Sequence, residues 1–504
     1  MPHFSRVRYQ EASNMSLSRI STFALLLVGV LMPVAAAEPE KPNVLFLIAD
    51  DLNTALSGFG HQQCKTPNLD RLAERGVKFE NMHCQYPVCG ASRASIMSGL
   101  YPYSNLTLGN NGTLRGSMPN VVTLSQTFRR SGYYAGRVSK IYHMRIPFEI
   151  IDGTAESDDP FSWDEAINIK APEQNAPGVL THWSPKDKGS QTFAGVVASG
   201  GDSDHADGMA ADRAIQILEN VKDRPFFLAV GFVRPHVPLV APKKYFDLYD
   251  RAAMEAPVVP ENDLDDVPGF IRSYKRNGTT YGVTPELHKG LLQAYYASVS
   301  YMDAQVGRVL KALKENGLED NTIVVFSSDH GYLLGHHHKY QKQHLFEEAT
   351  RVPFIISVPW LKDQHGRGTR KITELVDLYP TLADLAGVSA PDTLQGKSLK
   401  PLLADTESSA WTKDQAFTIS RSGGESIRTK DWRFTQWGFG EKGMELYDLK
   451  NDPGEFTNLA RNPDYTTVLK TLKKRLLAKR NDAGFASNKA VIVEKVNLKK
   501  RIKR

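Results

Sequence analysis

The sequence predicts an α/β fold: a large, mostly parallel central sheet flanked by helices, plus a smaller C-terminal α+β domain with a short antiparallel sheet. Three observations predict it. Unbroken apolar runs of strand length recur along the chain, the kind that a parallel sheet buries on both faces. Helical patterns fall between them, as an alternating α/β architecture requires. After about residue 410 the texture changes to short alternating segments. The 504 residues are 41% apolar and 23% charged, with 38 Gly and 28 Pro. That composition allows a large core and excludes a coiled coil, a collagen and a wholly disordered chain.

Taken in order, residues 1–37 hold Arg19, an apolar stretch over 23–32 and Pro33-Val-Ala-Ala-Ala37. These are the basic, apolar and small-residue parts of a secretory signal, with Met15 as an alternative start. The stretch is too short for a membrane span, and no later segment reaches ~20 continuous apolar residues. The expectation is an exported protein without stable membrane insertion: periplasmic or extracellular in a bacterium, in the secretory pathway or lysosome of a eukaryote. The main domain is expected over 38–409 and the C-terminal subdomain, with its basic tail, over 410–504.

The first core strand is Asn43-Val-Leu-Phe-Leu-Ile-Ala49, ending abruptly in Asp50-Asp51. Helices follow over 67–76 and 123–132. Between them, small residues after Cys89 lead into a further helix start. Residues 147–201 are rich in Gly, Pro, Asp and Ser, with weak periodicity, and read as a long insertion near a site. A helix over 205–222 precedes a strand over 225–231, and a helix over 287–316 precedes a strand over 321–327. A strand over 352–358 and a helix over 372–386 complete the main domain. The C-terminal strands fall at 416–420, 426–429, 432–437 and 444–447, with one helix over 468–480.

The net charge of +6 is mild and lies partly in the run Lys499-Lys-Arg-Ile-Lys-Arg504, so nucleic-acid binding is not implied. Three cysteines, Cys64, Cys84 and Cys89, are too few for a disulfide scaffold. Cys64 and Cys84 can pair in an oxidising compartment and leave Cys89 as the odd thiol.

In open α/β sheets ligands bind beyond the carboxyl ends of the strands, so Asp50 and Asp51 should meet Asp329 and His330 at one edge. Three carboxylates there repel unless a cation joins them. Oxygen donors favour Ca²⁺ or Mg²⁺, and the imidazole also admits Mn²⁺ or Zn²⁺; the plain alternative is that these acids cap loops. Cys89 at a helix N-terminus, with Arg93 one turn on, would be electropositive and activated; the plain alternative is a buried structural cysteine. Lys140 and His143 lie three residues apart. His236, just past a strand in Val233-Arg-Pro-His-Val-Pro238, is a candidate proton donor. Lys342 ends Gly335-His-His-His-Lys-Tyr-Gln-Lys342, whose three histidines form either a metal tract or an exposed turn.

Together these segments resemble the type I sulfatase family of the alkaline phosphatase superfamily. Cys89-Gly-Ala-Ser-Arg93 is similar to its Cys-x-Pro/Ala-x-Arg activation motif. Thr66-Pro-Asn-Leu-Asp70, Phe326-Ser-Ser-Asp-His-Gly331 and Leu446-Tyr-Asp-Leu-Lys-Asn-Asp-Pro453 resemble family landmarks in the expected order, so the likeness spans residues 41–459. Within the family, Val138-Ser-Lys-Ile-Tyr-His143, Asp159-Pro-Phe-Ser-Trp163 and 226–236 resemble the iduronate-2-sulfatase group. Two departures stand out: Ala91 replaces the usual Pro, and Ser98-Gly99-Leu100 replaces Thr-Gly-Arg.

The resemblance implies an alkaline phosphatase-like sandwich, a sulfatase domain over 38–409 and hydrolysis of a sulfated sugar, with a 2-O-sulfated uronate as the nearest class. It implies that Cys89 is oxidised by a formylglycine-generating maturation enzyme to formylglycine, whose hydrate is the nucleophile. One Ca²⁺ would be held by Asp50, Asp51, Asp329, His330 and the modified Cys89, with His330 standing where many members have Asn. Arg93 would hold the hydrate, and Lys140 and Lys342 would clamp sulfate oxygens. His143 would assist deprotonation of the hydrate, and His236 with Lys342 would protonate the leaving sugar oxygen. Sugar contacts are expected from 147–201, the loop after Gly331 and parts of the C-terminal domain, with Arg421, Arg428, Lys430, Trp163 and Tyr332 as candidates. The rival readings are a phosphate or phosphonate monoester hydrolase of the same superfamily and a catalytically silent glycan-binding homologue.

Overall fold

The computed structural model describes residues 39–184, 193–272 and 281–501, with side chains to 496. The signal reading of 1–37 lies outside the described residues. Eight strands form the central sheet: β1 (Asn43–Ala49), β2 (Val77–Phe79), β3 (Tyr134–Ser139), β4 (Glu165–Ile167), β5 (Phe226–Gly231), β6 (Thr322–Ser328), β7 (Phe354–Ser357) and β8 (Gly368–Thr369). Their order across the sheet is β8-β2-β7-β6-β1-β5-β3-β4. β7 runs against its neighbours, and every other pairing in the sheet is parallel.

The apolar runs explain why the sheet is covered on both faces. Side chains alternate across a strand, so Leu45, Leu47, Phe226, Leu228, Val230, Val324 and Phe326 feed one core. Val44, Phe46, Ile48, Phe227, Ala229, Ile323 and Val325 feed the other. Six helices cover the faces: α1 (Pro67–Glu74), α2 (Cys89–Ser98), α3 (Leu124–Arg130), α4 (Ala206–Val221), α5 (Pro285–Glu315) and α6 (Leu378–Leu385). α1, α4 and α5 pack on the first core; α2, α3 and α6 pack on the second. Local chemistry sets their starts: Thr123 and Gln126 form a capping box on α3, while Thr284 caps α5 with Pro285 in the first turn.

This arrangement also settles the cysteines. Cys64 belongs to the core on one face of the sheet and Cys84 to the core on the other, and all three thiols are free. The pairing of Cys64 with Cys84, left open by the sequence, is therefore not made. The helix expected over 372–386 begins only at Leu378, because Thr373–Glu374 is a short strand. The insertion 147–201 contributes β4 to the central sheet, and Gly178–His182 and Ala194–Ala198 join Leu239–Pro242 in a separate three-stranded sheet.

At the C-terminus β9 (Gln415–Ser420), β10 (Gly424–Thr429), β11 (Trp432–Trp437) and β12 (Gly443–Asp448) form an antiparallel meander. Two helices, α7 (Thr466–Asp482) and α8 (Phe485–Arg501), cover it, the second of them unexpected from the sequence. Leu472, Leu476, Phe485 and Ile492 share a core with Phe417, Ile427 and Phe434 of the meander and with Tyr86, Val88 and Ala91 at the start of α2. The C-terminal sheet thus supports the helix that begins at Cys89.

Candidate active site

Strand register delivers the charged residues to one place. Ala49 lies opposite Ser328, Ile48 opposite Gly231, and Ser139 opposite Gly231, so the next residues outward are Asp50, Asp329 and Lys140. Asp51 and Ser139 have φ of 63° and 59°, a left-handed region that costs energy for a side chain with a Cβ and is concentrated at functional sites. Gly231 has no freedom to be anything else: a Cβ there would lie 1.9 Å from the Lys140 carbonyl oxygen.

Cys89 occupies the first turn of α2 at 1% exposure. Its N-cap, Val88, provides no side-chain cap, so the positive end of the helix faces the site. The Cys89 Sγ lies 3.4 Å from Asp50 Oδ1, 3.4 Å from His330 Nε2 and 3.2 Å from Lys342 Nζ. Lys342 Nζ also donates to Asp51 Oδ1 at 2.5 Å. Lys140 forms an ion pair with Asp50, and His236 Nε2 stands 3.7 Å from Asp51 Oδ2. Arg93 is fully buried; its Nε donates to Asp329 Oδ2 at 2.8 Å, and its Nη atoms reach the carbonyls of Ala49 and Ile141 at 3.2 and 3.1 Å. Its direct partners are thus a carboxylate and the backbone rather than the thiol. His143 lies beside the Cys89 thiol, and its buried Nδ1 has no hydrogen-bond partner.

The ten residues read from the sequence as catalytic or metal-binding therefore meet at the sheet edge. Burial pushes the Cys89 thiol up, but Lys342, Lys140 and His330 outweigh it and hold the pKa well below the ordinary value. Burial likewise raises Asp50, together with Cys89, yet Lys140, His236 and Arg93 keep that carboxyl well below its usual range. Asp329 is pushed up to about 6 by burial and the Asp50 charge, against the pull of Arg93. Burial opposes charge on His330, but Asp329 and Cys89 raise it to about 9.

Donor atoms of Asp50, Cys89, Asp329 and His330 lie within 4.8 Å of one another, and an overlapping group joins Asp50, Asp51, Cys89 and His236. Asp51 Oδ2 is buried and accepts no hydrogen bond. Convergent carboxylates with an unused oxygen suit a hard divalent cation. Beside them opens a cavity of about 220 Å³ lined by Asp51, Ile146, His236, Val237, Tyr332 and Lys342.

Three further residues, none of them given a role from the sequence, hold His236 in place. Arg234 makes a buried two-pronged pair with Glu173 at 2.6 and 2.5 Å and donates to the His236 carbonyl at 2.6 Å. Asp207 accepts from the backbone N–H of Val233 and Arg234 at 2.7 and 3.1 Å. Glu173 lies in the expected insertion and Asp207 in α4, so only the tertiary fold brings them here. Trp163 and Arg428 are buried away from the cavity: Trp163 Nε1 donates to Asp158, and Arg428 pairs with Glu347. The three histidines also separate. His337 is buried against Asp263 at 3.1 Å and stacks on Phe346, while His338 Nε2 bonds the Pro260 carbonyl.

Comparison with known proteins finds relatives along most of the chain. A family model described as sulfatase matches residues 42–388, and one described as the C-terminal part of N-sulphoglucosamine sulphohydrolase matches 335–482. A sulfatase of Formosa agariphila is 33% identical over 466 residues, covering 88% of each chain. The iduronate 2-sulfatase of Mus musculus is 29% identical, covering 90% of this chain and 98% of its own. Among solved structures, a phosphonate monoester hydrolase of Agrobacterium radiobacter superposes with a TM-score of 0.72 at 24% identity, covering 88% of this chain and 96% of that one.

Proposed function

We propose, on the premise that this chain belongs to the sulfatase family, that it removes sulfate from a sulfated sugar, with a 2-O-sulfated uronate as the substrate class. The observation that carries the chemistry is Cys89 in the uncapped first turn of α2, with Lys342, Asp50 and His330 all within 3.4 Å of its sulfur. The uronate class is supported by similarity along most of the chain to an iduronate 2-sulfatase.

In this reading the Cys89 Sγ marks where the nucleophilic oxygen stands. Formylglycine made from Cys89 would, once hydrated by one water, offer two geminal hydroxyls, one to attack sulfur as the sugar oxygen leaves and the other to lose its proton and expel sulfate, restoring the aldehyde. Asp50, Asp51, Asp329 and His330 would hold a Ca²⁺, which would supply charge compensation for the sulfuryl oxygens. Lys140 and Lys342 present fixed positive charge to the same oxygens, which stabilises the transition state without reorganisation. Arg93 keeps Asp329 oriented and charge-balanced. His143, kept neutral by burial, accepts the proton that the nucleophile loses. As the bond between sulfur and the sugar oxygen breaks, His236 Nε2 donates a proton to the leaving oxygen, with Lys342 beside it. The cavity at His236 and Tyr332 receives the sugar.

An enzyme that oxidises Cys89 is the implied partner, and export is the implied route; no helix among the described residues is long and apolar enough to cross a membrane. The test is the mass of the peptide containing Cys89 from protein made in its native host, followed by assay on 2-O-sulfated uronides, other sulfated sugars and matched aryl sulfates and phosphonates. An aldehyde at Cys89 with sulfate release from the uronide is the expected result. An unmodified thiol sinks the mechanism and leaves a glycan-binding homologue, while faster phosphonate than sulfate cleavage transfers the site to the other hydrolase class.

A further inference from the structure

Charge is distributed very unevenly along this chain. Between residues 466 and 504 there are thirteen Lys or Arg and two acids, a net +11 in a protein whose total is +6. Everything before α7 is therefore net negative. The described cations of the helical pair divide into two groups. Arg475 pairs with Asp414, Arg480 with Glu425, Lys479 lies over the Tyr101 ring and Lys495 donates to the Leu106 carbonyl; these tie the helices to the body. Lys470, Lys473, Lys474 and Lys489 are exposed, and among the described residues none of them enters an ion pair.

Lys470, Lys473 and Lys474 follow the i, i+3, i+4 spacing that gathers side chains on one helix face. Like charges at that spacing destabilise an isolated helix, and ordinary surfaces intersperse acids among such lysines. Here neither acid of the pair, Asp482 or Glu494, falls within a turn of that triplet. A one-sign helix face is the footprint of a polyanion. Among the described residues, Leu472, Leu476, Phe485 and Ile492 are buried against the meander and Val491 is the one large apolar side chain of the pair that is exposed, short of the continuous apolar face that amphipathic membrane binding needs.

We propose that the exposed face of α7 and α8, centred on Lys470, Lys473, Lys474 and Lys489, is an accessory binding surface for a linear sulfated polysaccharide. It lies apart from the catalytic cavity and rests on the sulfated-sugar reading for its choice of polymer. An enzyme that works on such chains meets them as polyelectrolytes; counterion release makes a lysine row bind them whatever the sequence of sugars, and makes the affinity fall with salt.

The test uses the full chain and heparin as probe, with desulfated heparin, duplex DNA and phosphatidylglycerol vesicles alongside. Two variants carry all four substitutions, Lys→Glu in one and Lys→Gln in the other, at Lys470, Lys473, Lys474 and Lys489. The expected result is a loss of heparin affinity of about tenfold or more in the Glu variant and a smaller one in the Gln variant, with a shallower salt dependence. Turnover of 4-nitrophenyl sulfate and the circular dichroism spectrum should stay unchanged. Unaltered heparin affinity in both variants overturns the proposal, as does tighter wild-type binding to desulfated heparin, DNA or vesicles than to heparin. Loss of heparin affinity in a protein that cleaves no sulfate ester keeps the surface and removes the catalytic reading, so the two fail separately.

Discussion

His236 stands at the mouth of the cavity, 3.7 Å from Asp51, and the protein builds a buried frame around it from Arg234, Glu173 and Asp207. If it protonates the leaving oxygen, His236→Ala should slow a sugar sulfate by about 10²–10⁴-fold and an activated aryl sulfate by only a few-fold. Equal losses on the two substrates, measured as kcat, would remove that role. Glu173→Gln should act through His236, shifting the pH profile of kcat for the sugar sulfate while sparing the aryl substrate. At this scale the sequence was legible where a reactive group lies at or just beyond the end of an apolar run, as Asp50, Asp329 and His236 do; Lys140, after the concealed β3, was marked only by its spacing to His143. It was silent on Glu173 and Asp207, which are separated from Arg234 by 61 and 27 residues and act through packing alone.

Elements were legible in proportion to their apolar continuity. β1, β5 and β6 are unbroken runs. β3, equally buried, reads Tyr-Ala-Gly-Arg-Val-Ser, and its Gly, Arg and Ser conceal it; Arg137 is satisfied there by an ion pair with Asp158 at 2.8 Å. α8 was missed because Gly484 stops α7 and the residues beyond it carry weak periodicity. The end of β5 is tied to Lys140 through Gly231, so Gly231→Ala should push the Lys140 carbonyl away and misplace its ammonium; a fall in kcat of tenfold or more with little change in KM is expected from steady-state assay. The short strand Met82–His83 offers a second test. His83 is buried, and neither ring nitrogen has a partner. Burial lowers its pKa to about 3, the pull of Glu347 being countered by Arg428, Arg433 and Arg351. Below its unfolded value of about 6.5, the unfolded chain takes up a proton that the folded chain refuses. Stability should therefore drop as pH falls from 6.5 towards 3, at up to about 1.4 kcal/mol per pH unit from this group. His83→Phe should flatten that slope in urea titrations at pH 4.5, 5.5 and 7, and an unchanged slope would show that other groups set it.

Across the whole molecule, two cores meet at one sheet and the site sits where neither covers the strand ends. The C-terminal meander closes the structure through a buried network: Arg433 binds Glu347 and Glu455, and Arg428 also binds Glu347. Removing one member strands a buried charge, so Arg433→Met should cost about 3–5 kcal/mol by urea denaturation, and Arg433→Met with Glu455→Leu should recover part of it. If the carboxylates hold Ca²⁺, adding it at about 100 times its dissociation constant should stabilise the fold by about 2.7 kcal/mol, and Asp329→Asn should abolish that gain. Finally, Cys89 is 1% exposed, locked between α2 and the lysines around it. If a second enzyme oxidises Cys89, it would find that sulfur covered in the folded chain and readily met only before folding is complete. Folding and modification would then compete, and the specific activity of a preparation would record which of the two was faster, so conditions that delay folding should yield the more active protein.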